Sequence, residues 1–166
     1  MHPFAKVPNL LNRTIQAFLP GTARPDDPFA EQFLTEAEYG LYLKLDARDR
    51  THSVFVARML LKRHPGAAPE VVAAALLHDA AKALLPFNPF HRIAVHLYRP
   101  SGLPRAPLRP GLAGALQLRE HHEALGAELI RGAGGREEVA RLVAAMGEDA
   151  PGGADVRLLK EADSAT

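Results

Sequence analysis

Pro69-Glu70-Val71-Val72-Ala73-Ala74-Ala75-Leu76-Leu77-His78-Asp79-Ala80-Ala81-Lys82-Ala83-Leu84-Leu85 is the stretch on which the reading of this chain turns. Pro69 suits a first helical turn, where its missing N–H is no loss, and Pro86 ends the pattern. Between them Ala and Leu stand on nearly every side, so the spacing predicts one helix over 69–85, central and buried all round. Its interior nevertheless carries His78-Asp79. An ionised carboxylate in so apolar a segment is costly unless something pairs with it. Neighbouring helix residues are about 100° apart, so both side chains can lean toward one point near the helix surface. The doublet is tolerated where it binds a cation or faces a cationic partner. Taken alone, such a doublet more often lies at a helix edge and meets solvent.

Upstream, Thr35-Glu36-Ala37-Glu38 is a capping box, with Leu34 and Tyr39 at the staple positions around it. It predicts a helix from 36 toward 45. Asp46 or Asp49 can cap the next helix, which runs to His64 and stops at Pro65-Gly66. Its apolar stripe is Phe55, Val56, Met59 and Leu60, and His52 lies on that stripe one turn earlier. Downstream, residues 86–111 contain Pro86, Pro89, Pro100, Pro104, Pro107 and Pro110, leaving room for a helix over 90–98 and otherwise a loop. A loop so long inside a compact domain usually serves as a lid or a specificity element. Helices are predicted over 112–131, ended by Gly132-Ala133-Gly134-Gly135, and over 136–146, closed by Gly147 at a C′-like position. Asp155 is expected to cap a last short helix. Residues 1–34, rich in proline with a short helix over 10–19, read as an arm packed on a domain formed by 35–166. No repeat or β-hairpin signal is found. The predicted class is all-α, a compact bundle of about six helices.

Composition bounds the function. The chain has 166 residues, 47% hydrophobic and 23% charged, close to globular averages. Twenty Lys and Arg against nineteen Asp and Glu leave no dedicated nucleic-acid surface. The absence of cysteine removes disulfides, thiolate zinc sites and Cys nucleophiles together. The longest apolar run is Val71–Leu77, far short of the ~18 residues that span a bilayer. The N-terminus, interrupted by Pro3, Pro8, Asn12 and Arg13, does not form a signal peptide. The expectation is a cytoplasmic protein with no membrane partner. The Gly132–Gly135 run lacks the Lys-Ser/Thr of a phosphate loop, and no G-x-S-x-G elbow occurs. Ser53 adjoins His52, but neighbouring side chains diverge on a helix, which argues against a Ser-His nucleophile pair.

The order of the polar residues carries more. Arg50-Thr51-His52-Ser53-Val54, then Leu76-Leu77-His78-Asp79-Ala80-Ala81-Lys82, then His122 four residues before Gly126-Ala127-Glu128-Leu129-Ile130, then a late Asp163, resembles the HD superfamily of metal-dependent phosphohydrolases over roughly residues 46–163. The resemblance implies a helical bundle of the HD-domain type, with one divalent ion held by His52, His78, Asp79 and Asp163. Such mixed nitrogen and oxygen donors suit Mn, Fe, Co, Ni, Zn or Mg. The implied reaction is hydrolysis of a nucleotide or other small phosphate ester by a metal-activated water. Asp79, Lys82 and His122 take catalytic roles in that reading, and Arg48, Arg50, Lys82, His121 and His122 contact substrate. The residues themselves leave alternatives: Lys82 as a surface cation near a helix end, and Arg48 and Arg50 as solvated first-turn residues. Members with two metals carry a histidine at the His122 position and more histidines near the end of the following helix. Here that second place reads Val143-Ala144-Ala145-Met146-Gly147, which points to one ion, with His122 a substrate contact or proton donor. Two rival readings stay open: a degenerate HD module that senses a metal or nucleotide without turnover, and a structural ion-pair core in an interaction protein. His2, His64, His91 and His96 carry less weight, and His91 and His96 are expected to meet solvent.

Overall fold

The computed structural model describes residues 23–85, 89–98, 100–148 and 152–165. The helix expected over 10–19, together with His2 and Pro86, lies outside them. The described residues form eight α-helices and no strand, as the all-α reading requires. α1 (Asp27–Glu31) lies inside the stretch read as an arm; Asp26 caps it by accepting the Phe29 N–H at 3.1 Å, and Pro28 occupies its first turn. α2 (Glu36–Tyr42) starts on the complete capping box: Thr35 Oγ1 accepts from the Glu38 N–H, and the Thr35 N–H donates to Glu38 Oε2. Asp46, rather than Asp49, caps α3 (Ala47–Arg63), its Oδ1 2.8 Å from the Asp49 nitrogen.

The stretch 69–85 is not one helix. α4 (Pro69–Leu77) ends just before the doublet, and a 3₁₀ turn covers Ala80–Leu84. The reason is local. The His78 Nδ1–H donates to the Ala75 carbonyl at 2.8 Å, the same carbonyl that the Asp79 N–H would bond in a continuing α-helix. Asp79 falls to φ −97°, ψ 12°, and the Lys82 N–H closes the tighter turn on the Asp79 carbonyl. The doublet therefore marks a break in the central helix rather than its middle.

α5 (Pro89–Leu97), α6 (Gly111–Gly132), α7 (Glu137–Met146) and α8 (Ala154–Ser164) complete the order. α6 ends as its glycines predict. Gly134 takes φ +84°, the Gly134 N–H bonds the Arg131 carbonyl and the Gly135 N–H bonds the Ile130 carbonyl, a Schellman arrangement. Two expected caps differ. Gly147 caps α7 in a right-handed conformation, φ −82°, so no left-handed turn is needed there. Gly153 holds the N-cap of α8, which moves Asp155 into the first turn, where a negative charge favours the helix dipole.

α4 is the core, with every residue from Val71 to Leu77 buried and α3, α7 and α8 packed around it. A buried ion pair ties the bundle together at one end. Glu38, fully enclosed, accepts from the Arg136 backbone N–H at 2.9 Å and from its guanidinium at 2.7 Å. The same guanidinium donates to the Phe33 carbonyl and to Glu70, so α2, α4 and α7 meet on one side chain. The loop over 100–110 is fastened to α6. Buried Gln117 donates to the Pro104 and Pro107 carbonyls and accepts from the Arg109 N–H, while Glu120 accepts from the Gly102 and Leu103 N–H groups. Gly114 permits that approach, because a Cβ there would lie 1.8 Å from the Arg109 oxygen.

Candidate metal centre

Three segments far apart in sequence converge beside α4. His52 comes from the second turn of α3, His78 and Asp79 from the break after α4, and Asp163 from the last turn of α8. The two imidazoles stand edge to face with ring centroids 5.3 Å apart. Asp163 Oδ1 lies 3.3 Å from His52 Nε2 and 3.6 Å from His78 Nε2. Asp79 Oδ2 lies 3.4 Å from His78 Nε2 and 3.9 Å from His52 Nε2. His52, His78 and Asp163 each offer a ligand atom within 4.8 Å of the others. Asp79 approaches both rings from the protein side, where it is nearly sealed from water, while Asp163 is 42% exposed on the open side.

The donor chemistry fits a divalent ion. A carbonyl can only accept, so the proton of His78 sits on Nδ1, bonded to Ala75. In the neutral ring Nε2 is then a bare lone pair, and it faces two carboxylates. Lone pairs gathered in a half-buried hollow repel one another until a cation joins them. A backbone carbonyl holding the far nitrogen is also the usual way a metal-binding histidine is oriented.

The carboxylates are ready for that role. Burial works against a charge on Asp79, but Lys82 first, then His78, His52 and His122, outweigh it and hold its carboxyl well below the ordinary range. Burial likewise opposes ionisation of Asp163; the hydrogen bond from His52 and the neighbouring imidazoles overcome it, with Asp79 pushing the other way. Lys82 Nζ is 2.5 Å from Asp79 Oδ2 and 3.7 Å from Asp49 Oδ1.

The remaining predicted residues divide. Lys82 is at the cluster. His122 is within electrostatic reach of Asp79, with its Nδ1 3.1 Å from Glu123 Oε2 and 3.2 Å from the Arg119 carbonyl. His121 is not brought to the cluster: its Nε2–H donates to the Leu103 carbonyl at 2.7 Å and helps hold the loop. Arg50 is engaged by α1 and α2, its Nε 3.5 Å from Asp27 and its guanidinium carbon 6.0 Å from the centroid of Tyr42. Arg48 is half-buried on the first turn of α3 and has interactions of its own.

Asp49 is a site residue that sequence reasoning treated as a cap. Only one of Asp46 and Asp49 can cap α3, and the other, three residues before His52, falls on the histidine's side of the helix. Glu123 is another. It lies against the end of α7, where a Cβ on Gly147 would come within 3.1 Å of it.

An all-helical bundle that gathers imidazoles and carboxylates at a break in its central helix offers a donor set of the kind that holds a metal ion. The chain belongs to the HD-domain family: the family model described as the HD domain matches residues 50–166. That family is a superfamily of metal-dependent phosphohydrolases. No curated protein and no solved structure matches the chain. Among the described residues, no helix is long and apolar enough to cross a membrane.

Proposed function

We propose that this protein is a phosphohydrolase using one divalent ion, with His52, His78, Asp79 and Asp163 as its ligands and a nucleotide or another small phosphate ester as its substrate. The observation that carries the reading is the convergence of Asp79 Oδ2 and Asp163 Oδ1 on His78 Nε2, both within 3.6 Å of it. A divalent ion held there supplies Lewis acidity toward a phosphoryl group and acidifies water.

The chain's own groups do the rest. Asp79 stays ionised and holds Lys82 at the rim, where the ammonium, 28% exposed, meets a phosphoryl oxygen and offsets its growing charge. Asp49 gives that ammonium a second anchor and limits its swing. His122 has Nδ1 occupied by Glu123 and the Arg119 carbonyl, which leaves Nε2 to exchange a proton with a substrate oxygen. One ion is preferred to two because the last turn of α7 with its cap, Val143 to Gly147, carries no histidine of its own.

The test is turnover of a panel of phosphomonoesters and phosphodiesters by the purified, metal-loaded chain. Hydrolysis that disappears with a chelator and with Asp79→Asn is expected. No hydrolysis across the panel overturns the proposal, and tight metal and nucleotide binding without turnover would establish the sensor reading instead.

A further inference from the structure

We infer that α5 and the loop after it form a docking face for an anionic membrane surface. One side of α5 is seated: Val95 is buried with Ala115 and Leu116 of α6, and Leu103 of the loop packs beside them. Phe90, Ile93 and Leu97 recur at i, i+3 and i+7 and so share another face. All three stand in water, Phe90 at 76% exposure and Leu97 at 82%. Tyr98, also exposed, follows at the helix end. Four large apolar or amphipathic side chains exposed along so short an element exceed the single scattered residues that surfaces normally show.

Charge identifies what covers this face. Residues 80–119 hold six of the twenty Lys and Arg and none of the nineteen Asp and Glu; with Lys82 taken by Asp79 and Asp49 and Arg105 by Glu128, the arginines at 92, 99, 109 and 119 carry the positive charge of this stretch. An apolar helical face in a stretch that itself contributes arginines and no acid, with a tyrosine at its end and the neighbouring Glu120 and Glu128 already engaged by the loop, has the composition of a helix lying in the headgroup layer. Its apolar side chains reach the acyl boundary while its cations meet lipid phosphates.

Other occupants fit less well. Residues 1–22 carry Lys6 and Arg13 and no acid, so they would meet like charge. A second copy would bring the same basic segment against itself across a two-fold axis. A nucleic acid would satisfy the arginines, but it makes no use of Leu97 and Ile93 in water. The expectation of no membrane partner rested on the lack of a spanning segment, and a helix lying on the surface needs none.

The test is co-sedimentation of the full chain with phosphatidylcholine vesicles, with and without phosphatidylserine. Binding to the anionic vesicles alone, weakened by salt, is expected. Leu97→Glu should lower that affinity at least about tenfold while leaving the melting temperature in place. The chain has no tryptophan, so the emission of Phe90→Trp should shift to the blue on anionic vesicles against a dark background.

Absence of sedimentation, or an unchanged affinity in Leu97→Glu, overturns the inference. So does a solution dimer that Leu97→Glu splits, or a Leu97→Glu chain that melts several degrees lower, the mark of a face already covered by the chain itself. Oligonucleotide binding that Leu97→Glu leaves intact, without vesicle binding, would reassign the basic stretch to nucleic acid.

Discussion

Lys82→Met tests whether the electrostatics at the break in the central helix work as described. The parent ammonium lies 2.5 Å from Asp79 and 3.7 Å from Asp49, whose side chains are only 5% and 8% exposed. Removing one partner of a buried pair costs about 3–5 kcal/mol, because the other charge is left without compensation. The Lys82 side chain is itself 28% exposed, so water returns part of the lost solvation. The lower end, about 3 kcal/mol, is therefore expected. At about 2–4 °C per kcal/mol for a domain of this size, the chelated variant should melt roughly 6–12 °C below the parent. Lys82→Arg should recover most of that loss.

The gap should also depend on two conditions. A divalent ion restores positive charge beside the same carboxylate, so the difference narrows when both proteins are metal-loaded. The Asp79 carboxyl is held below its ordinary value of 3.8, so its stabilising contribution is complete above that pH and fades as the pH falls through the lower folded value. Without Lys82 the folded value rises toward the ordinary one, and the two melting curves should converge in strong acid. Circular dichroism melts in chelator across pH provide the assay. A Lys82→Met midpoint within about 2 °C of the parent in chelator would refute the reasoning.

Glu38→Gln should cost about 3 kcal/mol, since it leaves the Arg136 guanidinium among groups arranged for a carboxylate. The Glu38 carboxyl is lowered despite its burial, through bonds from Arg136 and Thr35, so the parent's melting point should drop as the pH falls below 4.5 while the variant's changes less. A divalent ion at about 100 times its Kd should raise the melting midpoint by roughly 5–11 °C, the equivalent of about 2.7 kcal/mol. Hydrogen exchange along Ala154–Ser164 should slow with it, and Asp163→Asn should lose both effects in calorimetry and exchange. Gln117→Ala should cost about 1–3 kcal/mol through the loop groups it leaves without partners. Limited proteolysis should then cut faster between Gly102 and Arg109.

Much of this was legible in the order of residues. The Thr35–Glu38 box, the proline that opens α4 and the glycines that close α6 act within a few positions of themselves, so local physics decides them. The fold class followed from helical periodicity, and the family resemblance from the spacing of His52, His78-Asp79 and Asp163. What escaped the reading depends on partners far along the chain or on side chains competing with backbone. The break after Leu77 arises because an imidazole takes a carbonyl that periodicity assigns to the helix. Glu38 reads as a cap residue, and nothing nearby shows that Arg136, 98 positions later, will enclose it. His121 and His122 are adjacent and chemically identical, yet one clamps a loop and the other comes within reach of the cluster. Asp49 becomes a site residue only once Lys82 is placed opposite it.

The bond from the His78 ring to Ala75 gives the donor set one fixed member and one adjustable one. His78 cannot rotate without breaking a contact with the main chain of the central helix, so its orientation is set by the scaffold. Asp163, 42% exposed in the last turn of α8, takes its hydrogen bond from the His52 ring, itself a member of the donor set. Attempts to change which ion the pocket selects should therefore begin by lengthening, shortening or re-pitching that final arm, since alterations around the imidazole would disturb the frame before they altered the choice.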